Sequence, residues 1–172
     1  MSLAANNPSA LAADPRNDGK VAIVTGASAG IGAGIAIELA KAGFTKFALV
    51  ARNAEKLAEV EAACKAAGAK EVLVLQKDLF KPDEVCQDII EKTVERFGRL
   101  DLLVNNAGIG FRKAIRDINP EEYDQRMNVH VKTPMFLTKH ALPHLEKTKG
   151  NVVFISSIIG PEIVPKEASI YA

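Results

Sequence analysis

Short apolar runs alternate with helical patterns along most of the chain, and this alternation restricts the possible fold more than any other feature. The first run, VAIVT at 21–25, is nearly all apolar and β-branched, as expected of a strand that is covered on both faces. Four further runs follow, each separated from the next by a helical pattern: KFALVA at 46–51, EVLVLQ at 71–76, LDLLVNN at 100–106 and NVVFISS at 151–157. Because strands that alternate with helices pair in parallel, we expect an α/β fold, a doubly wound parallel sheet with helices on both faces.

The helical patterns have recognisable ends and faces. Three glycines follow such patterns and predict helix ends: Gly43, Gly68 and Gly98. In the second pattern, four apolar residues recur at spacings of three and four, which places them on one face of a helix: Leu57, Val60, Cys64 and Ala67. The stretch 119–147 predicts one long helix, bent near Pro134 because proline cannot donate a helical hydrogen bond.

Composition and charge narrow the class of protein. With 172 residues, 48% of them apolar and 25% charged, the chain has the size and composition of one globular domain. Lys and Arg number 22 against 21 acidic residues, and no basic block stands out, so no nucleic acid or membrane partner is expected. Chemistry on a small molecule is the remaining expectation.

The first 19 residues contain no basic region and no long apolar run, so we expect a disordered leader rather than a signal peptide or an anchor. Residues 20–172 then form the folded domain. A cytoplasmic location is expected. Cys64 and Cys86 lie in helical patterns, which favours core positions over a disulfide framework or a metal site.

The stretch VAIVTGASAGIGAG at 21–34 joins the first strand to the first helix through a glycine-rich turn. Gly26, Gly30 and Gly32 stand where a helix N-terminus offers unpaired N–H groups and a partial positive charge to a pyrophosphate. The spacing G-x-x-x-G-x-G differs from the common G-x-G-x-x-G. Its position between a strand and a helix nevertheless predicts a Rossmann-like, dinucleotide-binding fold, with a tight connection that binds no ligand as the alternative.

The same turn contains GASAG, which matches the G-x-S-x-G turn of serine hydrolases with Ser28 as the nucleophile. That chemistry needs a histidine on a loop, but His130, His140 and His144 all lie in one helical stretch. A serine hydrolase is therefore the remote alternative. His140 and His144 are four residues apart without a third ligand, which favours a solvated helix surface over a zinc site.

Cofactor preference is expected to depend on the end of the second strand. Proteins that bind NAD usually place Asp or Glu there, about 20 residues after the glycines, on the ribose hydroxyls. Here Ala51 has no carboxylate, and Arg52 carries a guanidinium that can bind a 2′-phosphate through two hydrogen bonds. These residues predict a preference for NADP(H), with NAD(H) possible. The alternative is that Arg52 is an ordinary exposed loop residue.

Together the motifs resemble those of the short-chain dehydrogenases/reductases, from Lys20 to the end of the chain. TGASAGIG at 25–32 is similar to the family's cofactor loop TGxxxGxG, KDL with Asp78 to its adenine-binding acid, and NNAG at 105–108 to its fourth-strand signature. The resemblance implies a nicotinamide cofactor bound by the following residues: Gly26, Ser28, Gly30, Ile31, Gly32, Arg52, Asp78, Leu79, Asn105, Ala107 and Gly108.

Three residues match the family's catalytic group: Asn128 in MNVHV, Ser157 in ISSIIG and Tyr171, the tyrosine of a YxxxK motif. During hydride transfer to a carbonyl carbon, Tyr171 would protonate the oxygen and Ser157 would orient it through a hydrogen bond. The resemblance implies that Asn128 holds a water in the proton relay. An asparagine that only hydrogen-bonds the local backbone is the alternative.

The end of the chain departs from the family pattern. The family's lysine would lie four residues after Tyr171, whereas the last residue here is Ala172. We therefore expect a truncated member, incomplete at the C-terminus, with five of the expected seven strands and without the substrate-binding loop. Because a free tyrosine has a pKa near ~10, it needs a nearby cation, and Lys166 is not in an equivalent position.

The combined expectation is an NADP(H)-preferring oxidoreductase that interconverts a carbonyl and a secondary or primary alcohol by hydride transfer. The 172-residue chain by itself is expected to be inactive or nearly so. The alternative is a non-catalytic truncated protein that binds nucleotide or a partner. The full-length form is expected to be a homo-oligomer, and the run VVFIS is expected to form an unpaired edge that self-associates.

Overall fold

The computed structural model describes residues 13–110 and 113–157 of the chain. Within these ranges it contains a sheet of five strands: β1 (Val21–Thr25), β2 (Lys46–Ala51), β3 (Glu71–Gln76), β4 (Leu102–Asn105) and β5 (Asn151–Phe154). The strand order is β3-β2-β1-β4-β5, and every pair is parallel. The predicted doubly wound parallel sheet is therefore confirmed.

Five α-helices connect and cover the strands: α1 (Gly30–Lys41), α2 (Ala54–Ala66), α3 (Pro82–Phe97), α4 (Pro120–Met127) and α5 (Thr133–Thr148). Alternate residues of β1 enter two separate cores, because successive side chains of a strand point to opposite faces. Ala22 and Val24 pack on the side of α1 and α2, whereas Val21 and Ile23 pack on the side of α3 and α5. Coverage on both faces explains why the whole of β1 is apolar or buried.

The predicted helix ends are confirmed, and the predicted face of α2 is confirmed at three of its four positions. The Asn53 side chain caps α2 by accepting a hydrogen bond from the Lys56 N–H at 2.9 Å. The glycines that follow α1, α2 and α3 have positive φ angles of 100°, 117° and 75°, at Gly43, Gly68 and Gly98 respectively. Of the four positions predicted on one face of this helix, Leu57, Val60 and Cys64 are buried, whereas Ala67 is partly buried and lies at the C-cap, just after the helix.

The long helix predicted over 119–147 is divided into three parts. α4 ends at Met127, Asn128–Lys132 form a π-helical turn, and α5 begins at Thr133. In the π-helical turn, the Thr133 N–H donates to the Asn128 carbonyl, five residues earlier. Pro134 has no N–H to donate to the carbonyl four residues earlier, as an α-helix requires. The π-helical turn ends two residues before this proline. The helical stretch nevertheless runs without a break from Pro120 to Thr148, as predicted, and the bend near Pro134 stays a prediction.

Residues 13–19 belong to the predicted leader, yet they make defined contacts. Pro15–Asn17 form a short 3-10 helix capped by the Asp14 side chain. The Asp14 N–H and the Asn17 side-chain amide both donate to the Ala42 carbonyl, at 3.1 and 2.9 Å. Because these bonds fix the segment to the end of α1, the prediction of disorder is wrong for residues 13–19. The domain boundary at residue 20 stays a prediction.

The described part of the chain contains neither a membrane-spanning helix nor a metal-binding cluster. In residues 13–110 and 113–157, no helix is both long and apolar enough to cross a membrane. The same residues contain no cluster of three or more His, Cys, Asp or Glu side chains that could hold a metal ion. Cys64 and Cys86 are both buried free thiols, as expected for core residues.

Candidate functional site

A cavity of about 310 Å³ opens beyond the carboxyl ends of β1 to β4. The neighbouring strands β1 and β4 lead to helices on opposite faces of the sheet, and ligands of doubly wound folds bind at such a position. The described lining residues are Gly26, Ser28, Ala29, Ala51, Arg52, Asn53, Lys77, Asp78, Leu79, Phe80, Ala107, Gly108, Ile109 and Val129. Seven residues predicted to contact the cofactor are therefore brought together here: Gly26, Ser28, Arg52, Asp78, Leu79, Ala107 and Gly108.

Two glycines are required by the close approach of the loops that follow β1 and β4. Gly26 has a φ of +65°, and a Cβ at this position would lie 2.9 Å from the Ala107 Cα. A Cβ on Gly32 would overlap the Gly26 carbonyl and lie 2.5 Å from the Asn106 Nδ2 atom. Such separations are far below the optimal distance between nonbonded carbon atoms. Packing therefore demands glycine at both positions, independently of any ligand.

The first turn of α1 begins beside the cavity. Ala29 lines the cavity and immediately precedes Gly30, whose φ of +56° favours glycine although an added Cβ would meet nothing within 4 Å. The Ile31 side chain is 67% exposed. Because the unpaired N–H groups of a first turn point toward the helix N-terminus, this end of α1 presents hydrogen-bond donors and a partial positive charge to the cavity.

Thr25 and Asn106 hold the two loops together. The buried Thr25 hydroxyl donates to the Val104 carbonyl at 3.2 Å and accepts from the Asn106 and Ala107 N–H groups, each at 3.0 Å. The Asn106 side-chain amide donates to the Thr25 carbonyl at 2.9 Å. These four hydrogen bonds fix the glycine turn relative to β4. Neither residue was predicted as a site residue, although both lie within the TGxxxGxG and NNAG motifs.

Asn105, which the family resemblance assigns to cofactor binding, is not among the described residues that line the cavity. Its side chain is buried, and its amide lies 3.4 Å from the Thr138 hydroxyl of α5. Successive residues at the end of a strand point to opposite sides, so Asn105 faces α5 while Asn106 reaches the glycine turn. The neighbouring asparagine is therefore the one that supports the cavity.

Arg52 stands at the rim of the cavity, directly after β2. Its guanidinium carbon lies 4.8 Å from the centroid of the Phe80 ring. Within the described ranges no carboxylate forms an ion pair with Arg52, and its carbonyl accepts a hydrogen bond from Gln76 Nε2 at 3.0 Å. The rim therefore presents a cation that is not neutralised by a neighbouring acid, as an anionic ligand requires.

The other cation that lines the cavity is paired. Lys77 Nζ lies 2.7 Å from the Asp88 carboxylate. Hydrogen bonds from Lys77 and Lys92 hold the pKa of Asp88 below its usual range. Arg52 is thus the more available of the two cations for an anion in the cavity.

The loop Asp78–Phe80 is tied to the helical layer by side-chain hydrogen bonds. The Asp78 carboxylate accepts from the Phe80 N–H at 3.1 Å. The buried Thr133 hydroxyl donates to the Leu79 carbonyl at 2.7 Å, and the Asn128 side-chain amide donates to the Phe80 carbonyl at 3.0 Å. The Asn128 amide thus bonds a loop 48 residues away in sequence rather than the backbone of its own helix. Its part in a proton relay stays a prediction.

The remaining predicted catalytic residues are placed only in part. Ser157 follows β5 at the edge of the sheet where the cavity opens, two residues after Ile155, whose N–H donates to the Asn105 carbonyl at 2.9 Å. Tyr171 lies outside the described residues. The sequence did not single out His130, whose Nε2 atom is 3.0 Å from the Ile109 carbonyl in the loop after β4.

The geometry does not favour a serine hydrolase. Ser28 lines the cavity, but His130, His140 and His144 are absent from the described lining residues. His130 instead contacts the Ile109 backbone, and His140 lies with its ring 6.5 Å from that of Phe136 on α5. A nucleophilic serine needs a base within hydrogen-bond reach, and none is placed beside Ser28 among these histidines.

Comparison with known proteins agrees with this geometry. The family model for short chain dehydrogenase matches residues 20–172. The 11-beta-hydroxysteroid dehydrogenase-like protein 4A of Arabidopsis thaliana is 39% identical over 156 residues, which cover 90% of this chain and 51% of that protein. The chain thus spans about half the length of the curated relatives that it matches.

Solved structures show the same fold. A metagenomic short-chain oxidoreductase in complex with NADP has a TM-score of 0.82 and 36% identity, covering 90% of this chain and 70% of that one. The NADH-dependent reductase A1-R′ complexed with NAD also has a TM-score of 0.82, with 30% identity over 91% of this chain and 67% of that one. With its parallel sheet, its glycine turn and a family match from residue 20 onward, this chain belongs to the short-chain dehydrogenase family.

Proposed function

We propose that the protein is an NADP(H)-preferring oxidoreductase that interconverts a carbonyl and a secondary or primary alcohol of a small molecule. The observation that carries the proposal is the end of β2, where Arg52 lines the cavity and Ala51 offers no carboxylate. A carboxylate there would accept hydrogen bonds from ribose hydroxyls and repel a 2′-phosphate. A guanidinium instead attracts the phosphate and can donate two parallel hydrogen bonds to it.

The rest of the cavity fits the adenosine half of a dinucleotide. Gly26 lets the backbone approach a ligand closely, and the first turn of α1 supplies N–H groups for a pyrophosphate. Asp78 offers a carboxylate for the amino group of adenine, on the side of the cavity opposite the glycine turn along the sheet. Solved relatives whose titles name NADP or NAD support a nicotinamide cofactor, and NAD(H) remains a possible second cofactor.

Catalysis would take place at the edge of the sheet that follows β4 and β5. The bound nicotinamide supplies or accepts the hydride at the carbon that carries the oxygen. We assign to Tyr171 the transfer of the proton to and from that oxygen, to Ser157 a hydrogen bond that orients it, and to Asn128 a water of the proton relay. The names of dehydrogenase and reductase relatives support this chemistry.

The proton transfer assigned to Tyr171 needs a cation near the phenol, because a free tyrosine has a pKa of about 10. Loss of general acid–base catalysis would lower the rate by about 10²–10⁴-fold. Homo-oligomerisation and a cytoplasmic location stay predictions from the sequence.

Nucleotide titration tests the cofactor assignment. Arg52→Asp should weaken NADPH binding by about 1.5–3 kcal/mol, the range for a hydrogen bond to a charged group, and should leave NADH binding nearly unchanged. Arg96→Asp is the matched control, because Arg96 is exposed in the last turn of α3, away from the cavity, and carries the same charge change. An unchanged ratio of NADPH to NADH affinity in Arg52→Asp would overturn the assignment.

A further inference from the structure

Arg52 has a long, exposed side chain that must adopt one conformation to bind a phosphate. Its backbone is fixed, because Gln76 Nε2 donates to the Arg52 carbonyl at 3.0 Å and the Lys77 N–H donates to the Ala51 carbonyl at 2.9 Å. Its guanidinium forms no ion pair with a described residue, and the contact that the structure gives it is the Phe80 ring at 4.8 Å. The orientation of the guanidinium therefore depends on the position of this ring.

Phe80 is held more firmly than a residue of an open loop. Its N–H donates to the Asp78 carboxylate at 3.1 Å, and its carbonyl accepts from the Asn128 amide at 3.0 Å. The preceding carbonyl, that of Leu79, accepts from the buried Thr133 hydroxyl at 2.7 Å. The Phe80 side chain also packs partly against the core on the α3 and α5 side. These contacts restrict the movement of the Phe80 ring at the rim of the cavity.

We propose that Phe80 is a positioning residue for cofactor choice: its ring holds the Arg52 guanidinium in place for the 2′-phosphate and so raises the preference for NADP(H) over NAD(H). This inference rests on the proposed function. Stacking uses the face of the guanidinium and leaves its N–H donors, which lie in the plane, directed to a ligand. A carboxylate partner would hold the side chain equally well, but it would occupy those donors and neutralise the charge.

The size of the effect follows from the exposure of Arg52. Cation–π contacts at exposed sites are worth about 0.5–1 kcal/mol, which corresponds to an about two- to fivefold change in affinity. An Arg52 side chain that is ordered before binding raises the affinity for NADPH and not for NADH, because only NADPH carries the 2′-phosphate. Loss of the ring should therefore lower the ratio of NADPH to NADH affinity about two- to fivefold.

Fluorescence titration of the 172-residue chain with NADPH and with NADH tests the inference. Phe80→Leu keeps an apolar side chain for the core and removes the aromatic face, and Phe80→Tyr keeps the face. The expected result is an about two- to fivefold lower affinity ratio in Phe80→Leu and an unchanged ratio in Phe80→Tyr. Phe44→Leu is a matched control, because Phe44 also contacts a cation, Lys20 at 5.8 Å, but does not line the cavity.

A double variant separates positioning from general loosening of the loop. In an Arg52→Ala background, Phe80→Leu should leave the affinity ratio unchanged, because no guanidinium remains to be held. A wild-type chain without preference for NADPH would overturn the proposed function together with this inference. A wild-type preference that Phe80→Leu leaves intact would overturn the role of Phe80 alone, as would an equal loss with and without Arg52.

Discussion

Replacement of Gly32 by alanine tests how tightly the loops after β1 and β4 constrain this chain. Gly34 provides the comparison, since both glycines lie in α1 and neither has a positive φ. Alanine is more favourable than glycine in a helix by about 0.5–1 kcal/mol. A Cβ on Gly34 would meet nothing within 4 Å, so Gly34→Ala should raise the free energy of unfolding by about 0.5–1 kcal/mol.

The same change at Gly32 meets a packed loop. The new Cβ would overlap the Gly26 carbonyl and lie 2.5 Å from Asn106 Nδ2. Both groups belong to the hydrogen-bonded turn around Thr25, so the strain must be relieved by backbone movement, which typically costs about 1–3 kcal/mol. Because the gain in helix propensity is shared, Gly32→Ala should be less stable than Gly34→Ala by about 1–3 kcal/mol.

Urea unfolding followed by circular dichroism measures both variants against the unchanged chain. A lower midpoint with an unchanged m-value is expected for Gly32→Ala, because the same surface is exposed on unfolding. NADPH titration should also show weaker binding in Gly32→Ala and not in Gly34→Ala, since the displaced Gly26 lines the cavity. Equal stability of the two variants would contradict the close packing seen between these loops.

Three further changes have defined outcomes. Thr25→Val should lower the free energy of unfolding by about 1–3 kcal/mol, because the Asn106 and Ala107 N–H groups lose their buried acceptor. Thr25→Ser keeps the hydroxyl and should lower it less. Equal losses of stability in chemical denaturation would argue against this role of the hydroxyl. Burial raises the pKa of the Cys64 and Cys86 thiols to about 11, whereas an unfolded thiol ionises near pH 9. The stability that these thiols contribute is therefore complete below pH 9 and declines as the pH rises toward 11. A Cys64→Ala/Cys86→Ala chain should therefore show a flatter fall of stability over this pH range than the unchanged chain, and parallel curves would refute the assignment. Lys149 follows α5 with a φ of +53°, in the left-handed region that favours glycine. Lys149→Gly should therefore stabilise the chain by about 1 kcal/mol in thermal unfolding. An unchanged stability would mean that the backbone of Lys149 is not strained.

The limits of the strands show how far the apolar runs predict structure. β1, β2 and β3 have the bounds of their runs, and every residue of β2 is paired with a residue of β3. The run at 100–106 is longer than β4, whose pairing with β1 begins at Leu102. Residues on either side of β4 serve other purposes: the Asp101 carboxylate accepts from the Val21 N–H at 2.9 Å, and Asn106 supports the glycine turn. Apolarity indicates a strand, but hydrogen bonding to the neighbouring strand sets its ends.

Site residues were predictable to the extent that a motif placed them after a particular strand. Gly26, Arg52 and Asp78 follow β1, β2 and β3, and the parallel sheet brings such positions to one edge. The choice between Asn105 and Asn106 could not be made in this way, because it depends on which of two adjacent side chains faces α5. The ordered residues 13–19 were missed for a similar reason, since their partner is the far end of α1.

Periodicity and the placement of glycine within short windows are enough to predict the succession of strands and helices along the chain, the helix ends and the place where a nucleotide could bind. Which side chains support that place depends on the tertiary structure. Phe80 meets Arg52 because β2 and β3 are neighbours in the sheet, and Asn128 meets the Phe80 carbonyl across 48 residues because α3 and α5 pack on the same face of the sheet. These contacts depend on which strands are neighbours in the sheet and on how the helices pack, and neither is encoded in a short stretch of sequence. The residues that position the Arg52 guanidinium therefore become neighbours only in the folded chain.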